Sequence, residues 1–418
     1  MTRGQAWLFV SRLLRTLWFR PALYAAAALA VLILAPAVAQ LLPDGLMRLI
    51  GLDGIYDLLN VLAGTLLSVA IFSLGILAAS LRAAASGATP RVRPLLAEDP
   101  TARKAISTFI GGFVFAVVGI VILSTGYYSD AAKVLMFGVT CALILALIVA
   151  LVRWIGRLGR LGGIAEAVDL AEEATARALC ALARDPFLGG TPAATAPQGC
   201  IHPLAPPRPG FVQAVDPADL AAIAADLALD LHLCARPGTL VGPGHPLLLA
   251  SRPLAAAEQA RLTRPFVLGP QRTFEADARF GLVVLSEIAI RALSPAVNDP
   301  GTAIDVITTS TRLLCDWSRA AARTAPVIRH PRLHVRPLTP DQLVEDAFRW
   351  IARDAASATE VQVRLLACLR MLAHADRVRL GPPAQALARD VVARAERQPV
   401  FPPDMDELRT RAARVADP

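Results

Sequence analysis

Residues 58–81 read LLNVLAGTLLSVAIFSLGILAASL, 24 positions without an Asp, Glu, Lys, Arg or His. About 20 predominantly apolar helical residues cross the hydrocarbon core of a bilayer, so the stretch predicts a transmembrane helix. Three further stretches meet the same criterion: 21–42, 105–129 and 134–152. The predicted fold is an α-helical integral membrane protein with four transmembrane helices in a membrane domain over 1–160. Within the 58–81 run, Asn60, Gly64, Ser68, Gly75 and Ala79 recur at helical spacing, so one stripe is small and weakly polar. Thr108, Gly111, Gly112, Ala116 and Gly119 repeat the style in the third span. Small residues let membrane helices approach closely. Contact within one four-helix bundle is the favoured reading of the Asn60 to Ala79 stripe, with a seam or pore lining in a homo-oligomer as the alternative.

The 418 residues are 55% hydrophobic and 18% charged, and carry a formal net charge of +8. Residues 1–160 hold 14 basic and 6 acidic side chains, which leaves 28 of each sign (42 less 14, 34 less 6) for the rest. The basic surplus therefore belongs to the apolar part, and no nucleic-acid partner is expected of the remainder. Arg3, Arg12, Arg15, Arg20, Arg82, Arg91, Arg93, Arg103, Lys104, Arg153, Arg157 and Arg160 flank one side of the spans. Only Arg48 and Lys133 are on the other. The positive-inside rule then predicts a bacterial inner-membrane protein with both termini cytoplasmic. Trp18, Tyr24 and Trp154 near inner boundaries, and Tyr56, Tyr127 and Tyr128 near outer ones, fit an aromatic belt. Residues 5–20 read either as an interfacial helix or as an extension of the first span. Ala37-Val38-Ala39 also resembles a signal-peptide cleavage site, a reading the Trp- and Phe-containing leader makes the weaker one.

Beyond the spans, 161–209 predicts a juxtamembrane helix ending in a Pro- and Gly-rich linker. Residues 210–270 predict a small cytoplasmic α/β unit rich in β structure. In it, a strand at Phe211 to Val215 leads into a helix capped by Asp216 and opened by Pro217. Residues 271–418 predict a mainly helical cytoplasmic domain, with a short strand pair around Val327 to Val335 and a capping box at Thr339-Pro340-Asp341-Gln342. Phe348, Trp350 and Leu366 are core candidates there.

Chemistry is sparse. The only lysines are Lys104 and Lys133, so no phosphate-loop, Schiff-base or biotinyl lysine exists in the C-terminal part, and no cofactor is expected. His232, Cys234 and His245, like His330 and His334, lack metal-site spacing, and no metal site is expected. The six cysteines are scattered and expected reduced. No catalytic constellation is found, so the chain is not read as an enzyme. Its most distinctive run is Gln271-Arg272-Thr273, Asp277, Phe280-Gly281, then Arg291-Ala292-Leu293-Ser294-Pro295-Ala296-Val297-Asn298-Asp299-Pro300-Gly301-Thr302-Ala303. Arg272, Thr273, Asp277, Arg291, Ser294, Asn298, Asp299 and Thr302 are candidates for a small anionic ligand at a helix start. A helix-capping corner with ion pairing inside it is the simpler reading.

This run resembles the RT…D…FG and RALSPGxNDPxTA hallmark of a bacterial membrane-protein family classed as a domain of unknown function, DUF2254. Thr89 to Arg91, Gly210 to Asp216, and Arg236 to Leu247, which fits RPGxxVxxGxPL, are similar to it as well; Ala296 stands where the family has Gly. The resemblance implies an integral membrane protein with a cytoplasmic C-terminal region and supplies no reaction. The function the sequence favours is that of an oligomeric, channel-like or solute-permeation protein with a cytoplasmic regulatory part; the alternative is a membrane-tethered sensor or scaffold for an anionic ligand or a protein partner.

Overall fold

The computed structural model describes residues 54–97, 99–125, 130–159 and 162–416, with eight helical positions between 22 and 34. The span expected at 21–42 lies outside these residues apart from those eight positions, and the interfacial helix at 5–20 lies wholly outside them. The chain divides into two compact units, one ending at Glu166 and the other beginning at Ala167.

In the first unit, helices α1 (Gly54–Gly87), α3 (Pro100–Ser124) and α4 (Asp130–Leu158) contain the spans expected at 58–81 and 134–152 and most of the one at 105–129; the short α2 (Arg93–Ala97) lies between α1 and α3. All three long helices are apolar and long enough to cross a membrane. Asp99 caps α3 through Ala102 N at 2.7 Å, with Pro100 in the first turn. Among the described helices α3 is the central one: over half of its apolar stretch is buried against under a quarter in α1 and α4. Leu59, Phe115 and Met136 pack in one layer, and Leu66, Ile106, Phe109 and Trp154 in another. At Gly119 a Cβ would stand 2.5 Å from Met136 Cε and 3.3 Å from a Leu59 methyl, so a larger residue there would push the flexible end of Met136 aside. The third-span stripe is thus buried inside this unit. The second-span stripe is not: Asn60, Gly64, Ser68, Gly75 and Ala79 are exposed, and nothing stands within 4 Å of the Cβ position of Gly64 or Gly75. The buried face of α1 is instead Ile55, Leu59, Leu66, Ala70, Ser73 and Leu77. The tight packing expected of the stripe is therefore not made among the described residues.

Helix α5 (Ile164–Arg184) leads into the second unit. A five-stranded sheet follows the order β1 (Gly190–Pro192), β8 (His330–Val335), β4 (Leu231–Leu233), β6 (Leu248–Ala250), β2 (His202–Leu204). Its β1–β8 and β8–β4 pairs are parallel, and the other two antiparallel. A three-stranded antiparallel sheet sets β3 (Gly210–Val215) between β5 (Leu240–Val241) and β7 (Phe266–Gly269). Helices α6 (Pro217–Asp226) and α7 (Ala256–Thr263) complete this part, and its core joins Val212, Leu220, Leu231, Leu233, Leu248 and Leu333. The Pro- and Gly-rich stretch 186–209, read from sequence as a linker, supplies β1 and β2. The strand pair expected near Val327 to Val335 is one strand, β8; Val327 and Ile328 are exposed, because β8 pairs with β1 and β4 rather than with its own flank.

The remaining helices are α8 (Ala278–Ala292), α9 (Pro300–Arg323), α10 (Pro340–Val344), α11 (Trp350–Asp354), α12 (Thr359–Ala375), α13 (Gly381–Ala395) and α14 (Pro402–Ala416). Thr339 and Gln342 form the expected capping box on α10. Phe348 and Leu366 are buried as expected, but Trp350 is 45% exposed, flanked by the guanidinium groups of Arg349 and Arg353. A π-helical turn over Glu345–Arg349 separates α10 from α11. Such a turn admits one extra residue and rotates the face that follows, carrying Trp350 outward.

Candidate functional site

In the second unit, three loops and the end of α5 enclose a cavity of about 660 Å³. The β4–β5 loop brings Arg236, Gly238 and Thr239, the β7–α8 loop brings Arg272 and Asp277, and the segment after β8 brings Arg336 and Gln342; Leu182 and Asp185 come from α5 and its C-terminal end. The RPG and RT…D motifs, 36 residues apart from Arg236 to Arg272, therefore meet at one place.

Asp277 organises this place. It caps α8 through Arg279 N and Phe280 N, both at 3.1 Å, and receives a two-pronged bond from Arg272 at 2.7 and 3.0 Å. Its side chain is almost fully buried. Gly238 makes the approach possible, because its φ is +92° and a Cβ there would lie 2.2 Å from an Asp277 carboxylate oxygen. Arg272 also stacks over Phe280, 5.2 Å from the ring centroid. Arg279 is paired with Asp346 at 2.9 Å. Two of the cations at the cavity thus have their own carboxylates.

Arg236 does not. Its Nη1 donates to two carbonyl oxygens, Pro186 O at 2.8 Å and Arg336 O at 2.9 Å. Burial pulls its pKa down to about 10, with Asp185 opposing the shift. Asp185 is itself held by Arg329 and by Gly189 N at 2.6 Å. Arg336 is exposed at the rim, and among the described residues its side chain makes no hydrogen bond or ion pair. Glu275 is the other carboxylate on the lining. A part-buried guanidinium held only by neutral acceptors, with a second one beside it, forms a recess suited to a negatively charged group.

The residues singled out from sequence separate into two places. Arg272 and Asp277, with Thr273 half-buried beside them, stand at the start of α8. Arg291, in the last turn of α8, and Ser294, Asn298, Asp299 and Thr302 beyond it stand at its other end, a helix length of roughly 22 Å away. There Asp299 caps α9, its carboxylate accepting from Thr302 N at 3.1 Å and Thr302 Oγ1 at 2.6 Å, and those bonds hold its pKa down. Ser294 Oγ donates to Arg291 O at 2.7 Å, and Asn298 is exposed at φ +50°. Arg236 and Arg336 were not singled out as site residues: the first was visible only inside the RPG motif, and the second follows a strand with no distinctive pattern. His232 and His334 face each other across β4 and β8, and no group of three metal-competent side chains forms among the described residues.

A second charged cluster, also missed, lies in the first unit. Arg157 on α4 bonds Asp99 at 2.8 Å and also pairs with Glu166, whose other oxygen accepts from Gly162 N at 2.9 Å. Both carboxylates are buried. Desolvation raises the pKa of Glu166 against the pull of Arg157.

Three apolar membrane-length helices joined in one chain to an α/β unit define a class: membrane proteins with a sizeable folded part beyond their apolar helices. The pattern of a family described as "predicted membrane protein (DUF2254)" matches residues 15–371, and the chain belongs to that family. It is also similar to uncharacterised proteins of Mycobacterium bovis and Mycobacterium tuberculosis, each 40% identical over 111 residues, a quarter of this chain. The match spans about a fifth of the length of those relatives. No solved structure matches the chain.

Proposed function

We propose that this is a multi-pass inner-membrane sensor whose C-terminal unit lies in the cytoplasm and takes a small anionic ligand, a phosphate or carboxylate compound, in the Arg236 cavity. The observation that carries the reading is the Arg236 guanidinium, part-buried beside a 660 Å³ recess and bonded only to carbonyl oxygens. The cytoplasmic placement is supported by the alternation of cationic and neutral flanks along the spans. The test is a thermal-shift screen of phosphorylated and carboxylated metabolites on the full chain in detergent. A ligand that raises the melting temperature, and no longer does so in Arg236→Gln, is the expected result. No response from any anion, or an equal response in the variant, overturns it.

The channel-like alternative is favoured by one observation, the exposed Asn60, Gly64, Ser68 and Gly75 stripe on α1. Close packing of this face against a second copy would form a homo-oligomer. Gly64→Leu and Gly75→Leu would then dissociate the assembly in detergent; an unchanged mass for both variants removes the reading.

A further inference from the structure

Between α3 and α4 the membrane unit carries a groove of about 740 Å³. Thr108, Gly111 and Phe115 line it from α3, and Ala142, Ala146 and Val149 from α4. These are small or apolar side chains, so the trough is oily along its length. One end differs. Lys104 and Arg153 both reach it, both are exposed, and neither makes a side-chain hydrogen bond or ion pair among the described residues. Phe115 lies eleven residues beyond Lys104 on the same helix, so the trough runs roughly 16 Å from its charged end. That is about half of a 30 Å hydrocarbon core, the depth of one leaflet.

Charge complementarity selects among occupants. The span at 21–42 contains no acidic residue to meet Lys104 and Arg153. A second copy docked by the same face about an axis along the membrane normal would bring the same two cations against their equivalents. A lipid with a negative headgroup satisfies both parts of the groove, the apolar trough and the basic end. We infer that the α3–α4 groove is a binding site for one anionic phospholipid, an acyl chain along the trough and the phosphate between Lys104 and Arg153. Thr101, also on the lining, supplies a hydroxyl donor at the same level. The site is independent of the ligand cavity in the C-terminal unit.

Native mass spectrometry of the full chain, released from detergent with equal amounts of phosphatidylglycerol and phosphatidylcholine, tests this. Wild type should retain the anionic lipid in roughly thirtyfold preference, the scale expected of two cations near a headgroup. Lys104→Gln with Arg153→Gln should abolish the preference, while Lys104→Arg with Arg153→Lys, which keeps both charges, should preserve it. Ala146→Trp, which fills the trough, should lower retention of both lipids at unchanged oligomeric mass. No preference in wild type, or a preference that survives the double Gln variant with helical content intact, overturns the inference. So does Ala146→Trp if it changes the oligomeric mass and leaves lipid retention as it was, since the groove then holds protein.

Discussion

Arg157 and Arg236 are both largely withdrawn from water, one in each unit, and their surroundings are opposite. Arg157 lies between two buried carboxylates, Asp99 and Glu166, in a cluster that also caps α3 and fixes Gly162. Arg236 has only the carbonyl oxygens of Pro186 and Arg336. The first arrangement is closed: both carboxylates share the one guanidinium, and removing it strands them. The second is open, because its charge is held in place without being neutralised. The contrast separates a guanidinium that holds structure together from one available to an incoming anion.

The strongest way to break the comparison is at Arg157. Replacing it with Leu leaves two buried carboxylates without a cation and should cost about 3–5 kcal/mol, read as a large fall in melting temperature in detergent. Asp99→Asn with Glu166→Gln in the same chain should recover part of the loss; no recovery would show that Arg157 acts through packing alone. Next comes Gly238→Ala. A methyl group at φ +92° and 2.2 Å from Asp277 must displace the carboxylate that ties Arg272 to α8, at an expected cost of about 2–3 kcal/mol. Gly244, at φ +77° with open space around it, is the control in which backbone strain acts alone. Arg236→Met should change stability by less than about 1 kcal/mol, since relief of a desolvated charge offsets two lost bonds to carbonyls. A loss as large as that of Arg157→Leu would erase the distinction between the two arginines.

The smallest effect is expected at His232, buried on β4 with its Nδ1 unpaired. Burial lowers its pKa below 6.5, and His334 and Arg336 add to the shift. The unfolded chain therefore binds the proton more readily than the folded one. The contribution is fully present above the unfolded value of about 6.5 and is lost as pH falls through the lower folded value. Denaturant midpoints should decline on that side, and His232→Leu should flatten the decline.

What could be read from sequence was whatever is local. The apolar runs around α1, α3 and α4 need no knowledge of neighbours, and the caps at Asp216, Asp299 and Thr339 are set within three residues. The direction in which the Asn60 to Ala79 stripe points was not legible, because small size along a helix does not say which neighbour it meets. The five-stranded sheet escaped for a similar reason. Three of its strands contain a proline, Pro192, Pro203 and Pro331, and four are only three residues long, so no alternating pattern has room to develop. The cavity was half legible: its motifs could be read separately, but their meeting depends on Gly238 admitting Asp277, a contact across 39 positions of sequence.

The sheet also sets an order on biosynthesis. Its second strand in space, β8, is the last of the five in sequence, and both β1 and β4 hydrogen-bond to it. As the chain emerges, residues 190–192 must wait for residues 330–335, some 140 positions later, before either edge of that parallel pair is closed. The apolar helices are by then complete, while the second unit still exposes unpaired strand edges. A nascent chain stalled short of His330 is therefore the species in which a chaperone would find this protein.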